Sequence, residues 1–461
     1  MGLRSQPSTP ADGLPTPRRY WAIAAIVLAI SMSVLDSSIA NVALPTIARE
    51  FRTSAATSIW VINAYQIAIL ISLLPLAALG EAIGYRRVSQ AGLALFTVAS
   101  LACALAPSLF ALTAARIVQG FGAAGIMSVN AALVRFTYPQ RLLGRAVGIN
   151  AFAVATSAAI GPTVAAGVLA VAPWRWLFAI NGPIGVVTLI IATQALPVTE
   201  RSTRRLNWTS ALLHASALGL LASGLQSLAH DAATPLAAGQ IGAGCILAVV
   251  LARHELEREA PLIPFDLLRI RLFSLSIVTS VCSFMSQMAA LVALPFEIER
   301  LGHSAVQTGL LMTPWPVALA VVAPLAGRLS DRFPAGILGG AGLATMSCGL
   351  LLLAEFPHGA SAADFIWRMA LCGVGFGLFQ SPNNRTLILA APRSRSGAAG
   401  GMLSTARLLG QTLGAAGVAI LFRAYPGRGS NVALLVAAAI ALLAALVSVS
   451  RLAARPALAQ P

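Results

Sequence analysis

The sequence predicts an all-α integral membrane protein of fourteen spanning helices, and three observations carry that prediction. Of 461 residues, 57% are hydrophobic and only 10% are charged, far below the roughly one quarter charged expected of a soluble domain. Fourteen apolar stretches reach or approach the about 20 residues that a helix needs to cross a hydrocarbon core about 30 Å thick. The arginines gather in alternate loops, as they do when spans alternate in direction.

Composition also excludes several chemistries. All 31 basic residues are arginine, so no lysine is present to hold phosphates in a Walker-type loop or to form a Schiff base. The net charge of +16 is scattered over loops, whereas a nucleic-acid footprint needs basic residues clustered on one face. Cys103, Cys245, Cys282, Cys348 and Cys372 show no metal-ligand spacing and each lies in an apolar stretch, which reads as free buried thiols. No metal and no cofactor are expected.

Taken in order, residues 1–19 form a Pro-rich polar tail with Arg4, Arg18 and Arg19. The apolar sequence after it is too long for a cleavable signal, so a retained cytoplasmic tail is expected. A first half over 20–196 holds spans at 20–45, 58–79, 88–106, 109–134, 146–170 and 176–196. Two further spans, 208–228 and 235–251, form a separate segment over 208–251, followed by a hydrophilic linker over 252–271. The mixed charges of that linker, Glu255, Glu257, Arg258, Glu259 and Asp266, read as a solvated surface helix. A second half over 272–452 holds spans at 272–296, 306–325, 335–356, 365–389, 398–422 and 432–452, and residues 453–461 form a second tail.

With the amino terminus inside, 22 arginines fall on the cytoplasmic side and six outside, with Arg116, Arg368 and Arg407 within spans. Cytoplasmic loops carry the excess of positive charge, so both termini are expected in the cytoplasm of a bacterial inner membrane. An internal echo supports the division into halves. Leu79-Gly80-Glu81 follows the second span and Leu329-Ser330-Asp331 follows the tenth, 250 residues later. Eight spans separate the echoes where a six-span repeat gives six, so the seventh and eighth are an insertion between two six-helix bundles. Paired halves with a site at their interface are the architecture of an alternating-access carrier.

Four motifs carry candidate chemistry. In Glu81 with Gly84-Tyr85-Arg86-Arg87, a turn glycine lets an acid approach arginines, a lock made in one conformer and broken in the other. Ordinary positive-inside flanking is the bland alternative, but the pattern returns at Gly327, Asp331 and Arg332. The fourth span carries Arg116 with Gln119 and Gly120; a charge inside a bilayer costs several kcal/mol unless paired or wetted. Its Gly120, Gly122 and Gly125 match a dinucleotide-loop spacing, but with no strand before them they read as close helix packing. The fifth span carries Gly161, Pro162 and Gly167, where proline removes a helix hydrogen bond and small residues allow a bend.

Asp36 in the first span is the only acid well inside a predicted span. At 1.5 Å per residue it lies about 14 Å below the outer end of its span, and Arg116 about 10 Å below the outer end of its own. The two charges stand at similar depth and can pair. An intramembrane carboxylate is a functional hypothesis by default; a purely structural pair with Arg116 is the alternative. Glu297 and Glu299 sit near the outer mouth, to attract cations or merely to be solvated. Trp60, Tyr65 and Trp315 fit either an aromatic belt or cation stacking. His214 and His230 read as helix-end residues, and Arg407 has no partner that the sequence identifies.

These motifs resemble those of the major facilitator superfamily. The loop after the second span is similar to its Gly-x-Leu-Ala-Asp-Arg-x-Gly-Arg-Arg signature, with Ala77, Glu81 and Ala82 as departures. Arg116-Ile117-Val118-Gln119-Gly120 matches its Arg-x-x-Gln-Gly pattern. Gly161-Pro162-Thr163-Val164-Ala165-Ala166-Gly167 resembles the antiporter motif of its exporters, with Ala165 and Ala166 replacing a glycine pair. Leu35 to Pro45 resembles the first-span signature of the fourteen-span drug:proton antiporters, as do Trp174 to Pro183, Gln380 to Asn384, Gly397 to Gly401 and Arg407 to Gln411.

The resemblance implies the facilitator fold and a proton antiporter, not an enzyme, that expels lipophilic monovalent cations of the quaternary ammonium and methyl viologen type. It implies proton coupling at Asp36 with Arg116, and cargo contacts at Asp36, Asn63, Gln119, Glu297 and Trp315. Some relatives carry an acid where Asn63 stands, so divalent cations are not expected. Partners are expected to be small cationic molecules, protons and membrane lipids, and the chain is expected to be monomeric. An exporter of neutral or anionic compounds is the alternative within the fold, and a non-transporting assembly or sensing subunit the alternative outside it.

Overall fold

A computed structural model of the chain describes residues 13–139, 142–199, 207–228, 234–256, 265–330, 332–355, 361–391 and 396–453. Among these residues the regular elements are all helical, and fourteen helices are long and apolar enough to cross a membrane. The first half comprises α1 (Thr16–Glu50), α2 (Ala55–Ile83), α3 (Tyr85–Ala104), α4 (Leu109–Thr137), α5 (Leu143–Val171) and α6 (Trp176–Ala195). Next come α7 (Trp208–Ser227) and α8 (Thr234–Leu256). The second half comprises α9 (Arg271–Arg300), α10 (Ala305–Leu329), α11 (Ala335–Ala354), α12 (Ala362–Ala390), α13 (Ser396–Ala424) and α14 (Gly429–Ser450).

Local chemistry sets where these helices begin. Ser54, Ser108, Ser304 and Ser361 each accept a hydrogen bond from a first-turn backbone N–H, and the last two form capping boxes with Gln307 and Asp364. Caps satisfy donors that no preceding turn can reach. Gly84, at φ +103°, alone separates α2 from α3; only glycine takes that backbone without strain. The linker departs from expectation. α8 runs on through Leu256, so the start of the 252–271 segment is membrane helix, and Glu255 is buried against the Ser210 hydroxyl rather than solvated. Phe265–Leu268 forms one short turn, and Glu257, Arg258 and Glu259 lie outside the described residues.

The two halves repeat the same packing. A Cβ on Gly92 of α3 would stand 2.9 Å from the backbone of Gly122 and Gly125 on α4, and one on Gly342 of α11 would stand 2.5 Å from the Gly375 carbonyl on α12. Gly120 lies against the Tyr65 carbonyl of α2, and Gly373 lies against the Trp315 carbonyl of α10. Side chains larger than hydrogen at these crossings would force backbones apart. Matching contacts thus recur eight spans on. α7 and α8 pack on each other through Gly224 beside Ile241 and Gly244 beside Leu221, and α7 lies against α2 and α13.

Burial distinguishes the two faces of the bundle. At the face away from Thr16, one apolar cluster joins the halves, including Ile47, Ile59 and Trp174 of the first and Met288, Ile298 and Met312 of the second. At the amino-terminal face each half has its own cluster, around Ala22, Val88 and Leu133 in one and Phe273, Leu387 and Met402 in the other. The halves are therefore closed together at the far face and parted over much of the amino-terminal face, where Leu74 of α2 still touches Gly401 of α13. Thiol burial follows this packing: Cys103 and Cys372 are buried, Cys282 is half-buried, and Cys245 and Cys348 are exposed on the outer surfaces of their helices, which corrects the expectation of five buried thiols.

Candidate functional site

Asp36 and Arg116 meet, as their depths suggest. Arg116 on α4 donates through Nη1 to Asp36 Oδ2 on α1, and both side chains are 1% exposed. Asp36 Oδ1 accepts from Gln119 Nε2 and from Asn181 Nδ2 on α6, each at 2.9 Å. Arg116 also donates to the Val61 carbonyl at 3.0 Å and to Gln119 Oε1 at 2.6 Å, and its guanidinium lies 4.0 Å from the Tyr65 ring centroid. Gln119 is held in turn by Ser100, through a 2.7 Å bond. The Tyr65 hydroxyl donates to the Ser33 carbonyl at 3.1 Å.

This is a closed, charge-balanced cage built from α1, α2, α3, α4 and α6, all in the first half. With Arg116 on one oxygen and Gln119 and Asn181 on the other, both oxygens of the Asp36 carboxylate are engaged. Sequence reasoning missed Asn181 as a partner, although the stretch containing it carries part of the family resemblance.

Other expected cargo contacts are placed differently. Glu297 pairs with Arg300 at 2.6 Å, and Glu299 pairs across the halves with Arg49 through Oε2 while its Oε1 is buried without a hydrogen-bond partner. Trp315 is 1% exposed within the apolar far-face cluster, so it cannot stack on a cargo in this conformer, and its Nε1 has no hydrogen-bond partner. Asn63 is fully buried on α2, and Gln119 is committed to the cage. His214 is buried in the seventh position of α7 rather than at a solvated helix end. His230 lies outside the described residues.

Among the described lock residues no ion pair is formed. Glu81 is exposed in the last turn of α2, Arg86 donates to the Thr193 carbonyl of α6, and Arg87 is exposed. Gly327 lies within α10 and not in a turn, with space that a Cβ would share with Ser381 Oγ at 3.2 Å, and Arg332 is exposed. Asp331 lies outside the described residues.

The far face holds close contacts between the halves. A Cβ on Gly309 of α10 would stand 2.6 Å from the Pro162 carbonyl of α5, and Thr163 and Thr313 share a 2.8 Å hydrogen bond. Gly161 leaves room for the Ser38 side chain of α1. Gly167 has nothing within 4 Å, so close packing does not require it. Trp174 and Arg175 hold Glu50 at 2.6 and 2.8 Å and cap the same face. Gly309→Val is expected to open this seam. Spin labels at Arg52 and His303 should show a longer distance population than the parent protein; an unchanged distribution would contradict the seam's role.

The major facilitator superfamily model matches residues 26–415 and again 276–459. The chain belongs to the major facilitator superfamily. This facilitator is 53% identical over 445 residues to the uncharacterized transporter YebQ of Escherichia coli, covering 96% of this chain and 97% of that one. It is 32% identical over 397 residues to the multidrug resistance protein Stp of Mycobacterium tuberculosis, covering 84% and 73%. Its fold matches the crystal structure of a bacterial homologue of the human lysosomal transporter Spinster, with TM-score 0.71 and 16% identity over 97% of this chain and 100% of that one. The facilitator is thus a multi-pass membrane transporter and not an enzyme. Its glycine-crossed helix pairs and parted halves are what a transporter that rocks about a central site needs.

Proposed function

We propose that this facilitator is a proton-coupled antiporter that exports lipophilic small molecules across the bacterial inner membrane, with both termini in the cytoplasm. The observation that carries the reading is the caged Asp36–Arg116 pair, a titratable group held inside the membrane layer where a soluble-type role is excluded. With the termini inside, the conformer described above is inward-facing. The cage is then sealed from the outside by the far-face cluster, and opening that face gives Asp36 its route to external protons. A proton crossing the full potential supplies about 2.3 kcal/mol per 100 mV, roughly a fifty-fold gradient, with no need of ATP. The name of Stp, a multidrug resistance protein, supports export as the direction of transport.

Two cargo classes divide the reading. The family resemblance favours monovalent cations, such as quaternary ammonium compounds. A second class, neutral or acidic amphiphiles, is favoured by one observation: Asp36 is already neutralised by Arg116, whereas Arg407 on α13 has no carboxylate partner. Inverted vesicles separate the classes. Pumping of ethidium driven by a pH gradient supports the cationic reading, and pumping of a dansylated fatty acid without ethidium supports the second. Transport of both at an unchanged rate after the gradient is collapsed would contradict proton coupling.

Topology is tested independently. In a cysteine-free background, a cysteine at Ser202 should be blocked from impermeant thiol reagents added outside whole cells, and one at Ala232 should react. Labelling of both from outside would overturn the assignment of the termini.

A further inference from the structure

We infer that Arg407 and Gln411 form a binding site for the carboxylate of a lipophilic acid. The inference rests on the exporter reading and commits to its second cargo class. Gly410 and Gly414 set one face of α13 against α9, where a Cβ on either would stand about 3 Å from the backbone of Met285 or Ala289. Leu408 sets another face against the first half, in a cluster with Tyr65, Ile69 and Leu73, and Gly401 faces Leu74 on the same side.

At about 100° per residue, Ser404, Arg407 and Gln411 fall in the sector between these two packed faces. That sector points into the cleft between the halves, not toward lipid. All three residues are partly exposed, whereas Leu408 and Gly410 beside them are buried. Ser404 is satisfied within its own helix, through the Gly400 carbonyl at 3.1 Å. Gln411 and Arg407 are left with polar atoms facing the cleft, and Arg407 Nε is buried without a hydrogen-bond partner.

The other two intramembrane arginines set the comparison. Arg116 has Asp36, Gln119 and the Val61 carbonyl, and Arg368 donates to the Leu352 carbonyl at 2.9 Å. Arg407 has only the edge of an aromatic contact, 5.9 Å from the Phe284 ring centroid. Phe284 is itself buried, edge-on against Phe376 at 5.4 Å, so it offers the guanidinium no counter-charge. A charge at this depth is costly unless paired or wetted, and a guanidinium fork matches a carboxylate with two parallel hydrogen bonds. The carboxylate of a cargo acid supplies that partner. The same positive charge repels a cationic cargo from this end of the cleft.

The test uses the full-length protein in detergent and 11-(dansylamino)undecanoic acid as probe, with its methyl ester as the uncharged control. Wild type should bind the acid at least about ten-fold more tightly than the ester. Arg407→Gln should remove that preference by weakening the acid and leaving the ester unchanged, and Arg407→Lys should retain part of it. Gln411→Leu, which keeps the charge, should weaken the acid a few-fold and serves if Arg407→Gln fails to fold. Equal binding of acid and ester by wild type, or an acid preference surviving in a folded Arg407→Gln protein, would overturn the inference. Binding is read without transport, so a protein that binds the acid but pumps nothing counts against the exporter reading alone.

Discussion

Arg116→Leu is expected to be among the most destabilising single substitutions in the first half of the chain. It leaves Asp36 buried and uncompensated, frees the Val61 carbonyl and removes one partner of Gln119. Breaking a buried ion pair by removing one member costs about 3–5 kcal/mol, enough to lower the melting temperature in detergent and the yield in membranes together. Adding Asp36→Asn should recover much of the loss, because no net charge then remains in the cage. A second substitution that deepened the loss would show that the two side chains act separately.

Asp36→Asn alone is expected to destabilise the protein by a similar amount and to abolish pH-gradient-driven transport. A nearly isosteric neutral side chain looks harmless on the sequence, but the geometry argues otherwise. Asp36 uses both oxygens as acceptors, one toward Arg116 and the other toward Gln119 and Asn181. An asparagine has one oxygen, so its NH2 must face a donor whichever way the amide turns, and Arg116 is left unpaired in a dry site. Melting curves of the purified variant read the first effect and proton release on adding probe reads the second. A variant as stable as wild type would contradict the tightness of the cage.

Much of this was legible in the sequence because a bilayer restricts what a chain can do. Fourteen spans follow from length and hydropathy, and Asp36 with Arg116 from counting residues to the end of each span. The eight-span echo, seen first in Glu81 and Asp331, appears again in Gly92 with Gly342 and Tyr65 with Trp315. What sequence could not show is which polar groups share a partner. Asn181 joins the cage through tertiary packing of α6 on α1, and Glu297 and Glu299 pair with Arg300 and Arg49. Glu255 looked solvated because its neighbours in sequence are charged, yet α8 carries it against Ser210. Gly327 occupies a helix and not a turn because α10 continues past it to Leu329.

The central claim is that the proton is carried at Asp36, and the measurement closest to it uses the charge-neutral pair Asp36→Asn/Arg116→Leu in proteoliposomes. Stability restored in this double variant separates coupling from folding. The account predicts that the variant still exchanges labelled probe for unlabelled probe across the membrane, yet accumulates none against a gradient when a pH difference is imposed. Accumulation at the wild-type level by this folded variant would show that the proton travels elsewhere.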